Sequence, residues 1–269
     1  MKTIFFDVDT QNDFMNSKGA LYVPDAESIK PNLEQLTTFA CEKGIPIFGS
    51  VDRHFGTPKY KEREGELAKY RGPFPEHCMD GSEGQRKINE TVLVRRLNPD
   101  HTKSKELDKF YRVEGFFIEN PLQFKENQKF EDGGITFNSL DELIARRLSI
   151  YTSKTEVTHP FHTLSENGHV SYQTPGIFFE KQSYDVTTNP YFDKVMDAVK
   201  PEVAVVYGVA TDYCVKAAVK GLVKHVKEVY VVTDAIKGIT PQGTEETFKL
   251  FKDLGVKFVT TKEVLGGAI

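Results

Sequence analysis

Two blocks of alternating sequence, near residues 2–52 and 176–265, limit the possible folds more than any other feature of the chain. In both, short runs rich in β-branched and aromatic residues are separated by stretches with apolar residues at helical spacing. KTIFFDV (2–8) reads as a buried strand, residues 26–43 carry Ile29, Leu33, Leu36, Phe39 and Ala40 on one helical face, and IPIFGSVD (45–52) reads as a second strand. The later block repeats the scheme. GIFFEK (176–181), VAVVYGVA (203–210), VYVVTDA (229–235) and KFVTTKEVL (257–265) read as strands, separated by helices near 190–199, 211–224 and 243–255. Such alternation predicts an α/β fold: a three-layer α/β/α sandwich around a mostly parallel, roughly six-stranded sheet. In open sheets of this kind the chemistry collects beyond the carboxyl ends of the strands.

Between the blocks, residues 92–172 break the rhythm. This stretch is charged and polar, with EGFFIENPLQF suggesting irregular extended chain and SLDELIARRLS (139–149) the best helix candidate. It reads as an insertion in a single 269-residue domain, placed to act as a lid or an oligomer contact. The hydrophobic fraction of 39% and charged fraction of 28% are those of an ordinary globular protein. No apolar run approaches the length of a membrane-spanning helix, and the start does not read as a signal peptide, so a cytoplasmic protein without membrane contact is expected. Three cysteines, Cys41, Cys78 and Cys214, have no paired spacing and suit a reducing compartment. A net charge of −4 gives no broad reason to expect a nucleic-acid partner.

Three strand ends carry groups that could act together. Asp9 and Asp13 follow the first strand in DTQNDF, Lys181 ends GIFFEK, and Cys214 follows VAVVYGVA at the start of a helix. Amides and dipole at a helix start favour a thiolate, although a cysteine standing alone there is more often a small buried hydrophobe. An isolated lysine at a strand end reads as a solvated charge, and the acids as turn formers. An acid, an ammonium and a thiol converging on one sheet edge make a nucleophilic site the better reading. A second group is SVDRH (50–54) with FPEHC (74–78). Residues two apart on extended chain share a face, so Asp52 and His54 can meet one ion, with His77 a possible third ligand. One aspartate and two histidines suit Zn²⁺, with Mn²⁺ or Fe²⁺ as alternatives, and leave positions open for water or substrate.

The segments DTQNDF (9–14), FEKQSYDVTTNP (179–190) and GVATDYCVKAAV (208–219) resemble, in that order, the three signature segments of the isochorismatase-like cysteine hydrolases, the superfamily that contains the nicotinamidases. The resemblance covers roughly 1–91 and 173–265. It implies a catalytic triad of Asp9, Lys181 and Cys214, and a cis peptide between Val209 and Ala210. It further implies an oxyanion hole formed by the backbone amides of Ala210 and Cys214. Asp52, His54 and His77 match the nicotinamidase metal ligands, which isochorismatases proper lack. The match is incomplete: DRHFGTP replaces D-W-H-P, Phe74 stands where a tryptophan often lines the ring pocket, and the chain has no tryptophan. Phe14 and Phe74 are candidates to sandwich a flat ring, with Tyr213 on the pocket wall. Cys78 and Cys41 are assigned to packing.

These readings lead to a cysteine amidohydrolase cleaving a small-molecule carboxamide through a thioester, with nicotinamide, giving nicotinate and ammonia, as the leading substrate. The same triad acting on an N-carbamoyl, ureido or other small amide is the alternative. A non-catalytic binding or assembly protein on the same scaffold is a third. The resemblance also implies a homo-oligomer.

Overall fold

The computed structural model describes residues 3–92 and 176–269 throughout and, between them, short pieces at 115–118, 129–132, 135–137, 162–164 and 170–172 with a few single positions. Among the described residues, seven parallel strands form the main sheet. They are β1 (Thr3–Val8), β2 (Ile47–Asp52), β3 (Gly115–Ile118), β8 (Gly176–Lys181), β9 (Val203–Val209), β10 (Glu228–Lys237) and β11 (Lys257–Val259), in the spatial order β11-β10-β9-β1-β2-β8-β3. Six of them are the strands expected from the two alternating blocks. The seventh, β3, comes from the middle segment and pairs in parallel with β8. Two antiparallel pairs, β4 (Phe130–Asp132) with β5 (Ile135–Phe137) and β6 (His162–Leu164) with β7 (Val170–Tyr172), also belong to that segment. Most of the helix suggested for 139–149 lies outside the described residues.

Helices cover both faces because the strands are apolar on both. On one side Phe5 of β1 packs in a cluster with Leu33, Leu36 and Ala40 of α2 (Lys30–Lys43), which follows the short α1 (Asn12–Met15). On the other, Ile4 and Phe6 join Phe192 and Val195 of α3 (Tyr191–Val199), Val219 and Leu222 of α4 (Lys216–Leu222), and Phe251 of α5 (Pro241–Asp253). Burying each large side chain contributes about 1.5–3 kcal/mol, and these two clusters fix the central strands β9-β1-β2-β8 side by side.

Two elements differ from expectation. KFVTTKEVL does not run on as a strand: β11 stops at Val259 and α6 (Thr261–Leu265) begins. Thr260 and Glu263 form a reciprocal capping box, and these satisfied helix-end amides outweigh the β propensity of the threonines. Nor is 211–224 one α-helix. Thr211–Val215 winds as a π turn before α4, a geometry that recurs at functional sites. Gly208, φ 115°, lies beside Val8 so closely that a Cβ would sit 2.0 Å from the Val8 carbonyl oxygen. Only glycine lets β9 pass β1 there and turn toward Cys214. Among the described residues no helix is long and apolar enough to cross a membrane.

Candidate active site

Parallel register brings the chemistry together. In the β2–β8 ladder Asp52 is the lateral partner of Lys181, so the two last residues of neighbouring strands share a face. Lys181 Nζ donates to Asp52 Oδ1 and lies 2.8 Å from Asp9 Oδ2 and 3.7 Å from Cys214 Sγ. Asp9 reaches this point because the chain leaves β1 with φ 48° and its N–H donates to the Ser50 carbonyl. Ser50 Oγ donates to Asp9 Oδ1 at 2.7 Å, while Oδ2 accepts no well-formed hydrogen bond. The three residues of the expected triad meet, and Lys181 has in Asp52 a third companion that the motifs did not indicate.

Charge in this cluster is set by burial against pairing. Burial pushes the Cys214 thiol well above its ordinary value and outweighs the Lys181 ammonium. Burial likewise raises Asp9, with Lys181 opposing. Burial alone would lower Lys181, but Asp52 and Asp9 hold it well above the usual lysine value. Asp52 moves the other way. Against burial, Lys181 and the facing His77 and His54 keep its carboxyl below the usual range.

Cys214 is 8% exposed and lies on the wall of a cleft. Phe14, Phe74 and Tyr213 all line it, as the sequence suggested, together with His77 and Tyr184. Phe74 meets Tyr213 edge to face with ring centroids 5.3 Å apart, and Phe14 lies 5.4 Å from His77. The peptide between Val209 and Ala210 is cis. The Ala210 carbonyl accepts from the amides of Tyr213 (3.1 Å) and Val215 (3.0 Å), one on each side of Cys214 in sequence. Asp13 takes no part in the triad: it accepts from Cys78 N at 2.7 Å and Ala20 N at 3.0 Å, tying two loops together. Asp7, within β1, pairs with Lys87 at 2.7 Å. Cys78 is fully buried, consistent with packing.

Asp52, His54 and His77 also converge, and Glu66 joins them, with one ligand atom from each lying within 4.8 Å of the others. Neither ring nitrogen of the buried His54 has a hydrogen bond, although Nε2 is 3.2 Å from Glu66 Oε1. His77 Nδ1 is 2.7 Å from the Pro75 carbonyl, which leaves Nε2 facing Asp52 Oδ2 (3.5 Å) and Glu66 Oε1 (3.7 Å). Orphaned imidazole nitrogens beside two carboxylates fit a divalent cation, and the Pro75 contact is the outer bond that orients a ligating histidine. Sequence reading missed Glu66 because KEREGEL is a charged run with no spacing that singles out one acid.

It also missed Gln11, which was legible only as part of DTQNDF. Gln11 is fully buried and acts as a strand partner for Asp52: Nε2 donates to Asp52 O and Gln85 O, and Oε1 accepts from Asp52 N, each at 2.7 Å. Gln11→Ala leaves these buried groups unpaired, which costs about 1–3 kcal/mol. Denaturant unfolding of the chelator-treated variant is expected to give that loss, and calorimetric titration with Zn²⁺ a roughly 10- to 100-fold weaker site. Unchanged unfolding and unchanged titration would remove Gln11 from the site.

Residues 168–263 match the isochorismatase domain family. No curated protein sequence matches the chain. Among solved structures it is similar to the pyrazinamidase of Pyrococcus horikoshii in complex with zinc, with TM-score 0.58 and 21% identity, covering 97% of this chain and 99% of that one. It is also similar to a nicotinamidase/pyrazinamidase of Bacillus subtilis, with TM-score 0.58, 18% identity and coverage of 96% and 100%. A protein of L. infantum in complex with nicotinate has TM-score 0.58, 14% identity and coverage of 97% and 93%. The parallel α/β fold is that of isochorismatase-like hydrolases.

Proposed function

We propose that this isochorismatase-like chain is a cysteine amidohydrolase acting on a small flat carboxamide, with nicotinamide the leading substrate. One observation carries the reading: a single ammonium, Lys181 Nζ, lies 2.8 Å from Asp9 Oδ2 and 3.7 Å from Cys214 Sγ beside an aromatic-lined cleft. Such an arrangement can make a nucleophile from a thiol.

Asp9 takes the thiol proton as the sulfur attacks the amide carbon, and Lys181 offsets the negative charge formed in this dry setting. The amides of Ala210 and Cys214 donate to the resulting oxyanion. When the C–N bond breaks, the nitrogen receives the proton held by Asp9 and leaves as ammonia, with the acyl group on sulfur. Water then adds to the thioester carbon while Asp9 accepts its proton. The C–S bond breaks, the carboxylic acid is released, and Asp9 returns the proton to Cys214. Phe14, Phe74 and Tyr213 hold the flat substrate and exclude bulk water. A divalent cation held by Asp52, His54, Glu66 and His77 would supply a Lewis acid that orients a polar substrate atom.

Incubating the purified, cation-loaded protein with nicotinamide, pyrazinamide, benzamide and N-carbamoyl compounds while following ammonia tests this reading. Saturable release from nicotinamide is expected. Release from the ureido members alone would move the substrate to the N-carbamoyl class. No release from any, together with a Cys214 inert to iodoacetamide near neutral pH, would favour a non-catalytic scaffold.

A further inference from the structure

Glu66 has two oxygens with different partners. Oε1 faces the imidazoles of His54 (3.2 Å) and His77 (3.7 Å), while Oε2 accepts from the backbone N–H of Tyr184 at 2.8 Å. Tyr184 stands three residues beyond Lys181, on the chain leaving β8. That segment is also held where it begins, by Gln182 Nε2 donating to the Arg53 carbonyl at 3.0 Å. The Tyr184 ring lines the cleft, is 46% exposed, and meets the Tyr213 ring edge to face at 6.1 Å. Tyr213 is the neighbour of Cys214 in sequence. One carboxylate therefore connects the cation-binding group to a cleft wall that has little packing of its own.

We propose that Glu66 is a positioning residue that joins cation occupancy to the Tyr184 wall, and that Tyr184 is a specificity-determining residue closing over the far edge of a flat aromatic amide. A cation drawing on Oε1 fixes the carboxylate plane, and Oε2 then presents a stationary acceptor to Tyr184 N. Without the cation, Oε1 is held only by its contacts with the two imidazoles, so the carboxylate is less firmly fixed toward the Tyr184 amide. The substrate contact rests on the amidohydrolase reading, whereas the link from cation to backbone does not.

Hydrogen exchange of the full-length protein, read on peptides spanning Tyr184, compares protein stripped by chelator with protein reloaded with Zn²⁺. Reloading is expected to slow the Tyr184 amide about tenfold, the factor one charge-assisted hydrogen bond is worth. In Glu66→Ala the amide exchanges fast with or without Zn²⁺, and Zn²⁺ affinity falls roughly 10- to 100-fold. Glu66→Gln keeps an acceptor for Tyr184, so exchange stays slow and becomes insensitive to Zn²⁺, while affinity still falls. Tyr184→Ala leaves Zn²⁺ affinity unchanged and raises KM about tenfold with kcat nearly constant, the loss of an aromatic contact. Far-ultraviolet circular dichroism verifies that each variant is folded. Equal exchange at Tyr184 with and without Zn²⁺ in the unsubstituted protein would overturn the link. An unchanged KM in Tyr184→Ala would overturn the specificity role. Should no amide be turned over, the amidohydrolase reading fails on its own, and the exchange comparison still decides the role of Glu66.

Discussion

Cys214→Ala is expected to lower ammonia release from the preferred carboxamide by about 10⁴- to 10⁶-fold, the scale on which removal of a nucleophile acts in hydrolases that work through a covalent intermediate. Asp9 would remain as a base, but no sulfur would be present to carry the acyl group. The fold should survive. Cys214 contributes one small buried side chain to the cluster behind β9, and its loss costs about 1 kcal/mol by comparison with other small truncations in cores. Mass spectrometry of the unsubstituted protein quenched during turnover should find an acyl adduct on Cys214, absent in the variant. Turnover retained within tenfold would exclude the covalent route whatever the geometry suggests.

Lys181→Met should damage activity and stability together. Methionine keeps much of the buried side-chain volume but leaves Asp9 and Asp52, both essentially fully buried, facing each other without a cation between them. Breaking a buried ion pair from one side costs about 3–5 kcal/mol. Loss of the positive charge beside Asp9 and Cys214 should also lower kcat by about 10²- to 10⁴-fold. The pH dependence has a definite sign. Pairing with Asp52 and Asp9 raises Lys181 above its unfolded value of about 10.4, so its contribution is fully present below about pH 10 and is lost as pH rises through the raised folded value. In the variant, burial of Asp9 no longer meets an opposing ammonium. Its folded form then binds a proton more readily than the unfolded chain, which stabilises the fold as pH falls. Denaturant midpoints measured in chelator should therefore differ most near pH 7 and converge toward pH 4. A constant difference across that range would mean that packing, not charge, accounts for the loss.

The residues behind these two predictions were legible because each ends or follows a strand whose apolar run marks it. GIFFEK fixes where Lys181 emerges, and VAVVYGVA does the same for the turn bearing Cys214. D-x-H on extended chain placed Asp52 and His54 together for the same reason, since period-two geometry is local. Where two local signals competed, the weaker clue was overlooked: in TTKEV the β propensity of threonine hid a capping box, and β11 proved short. The π turn at Thr211–Val215 has no comparable sequence signature.

From sequence alone came the alternation that dictates a parallel sheet, the strand ends that carry chemistry, and the aromatic residues available for a pocket, all of them consequences of spacing along a few neighbouring residues. Tertiary structure alone decided that Lys181 is shared between Asp9 and Asp52, that Gln11 braces Asp52, and that Glu66 stands between the imidazoles and Tyr184. Those contacts span tens to more than a hundred residues of chain. They depend on lateral register between strands and on loop paths set by packing, which local periodicity does not encode. The upward push on the Cys214 thiol belongs with them, because it comes from burial, and burial is a property of the assembled molecule.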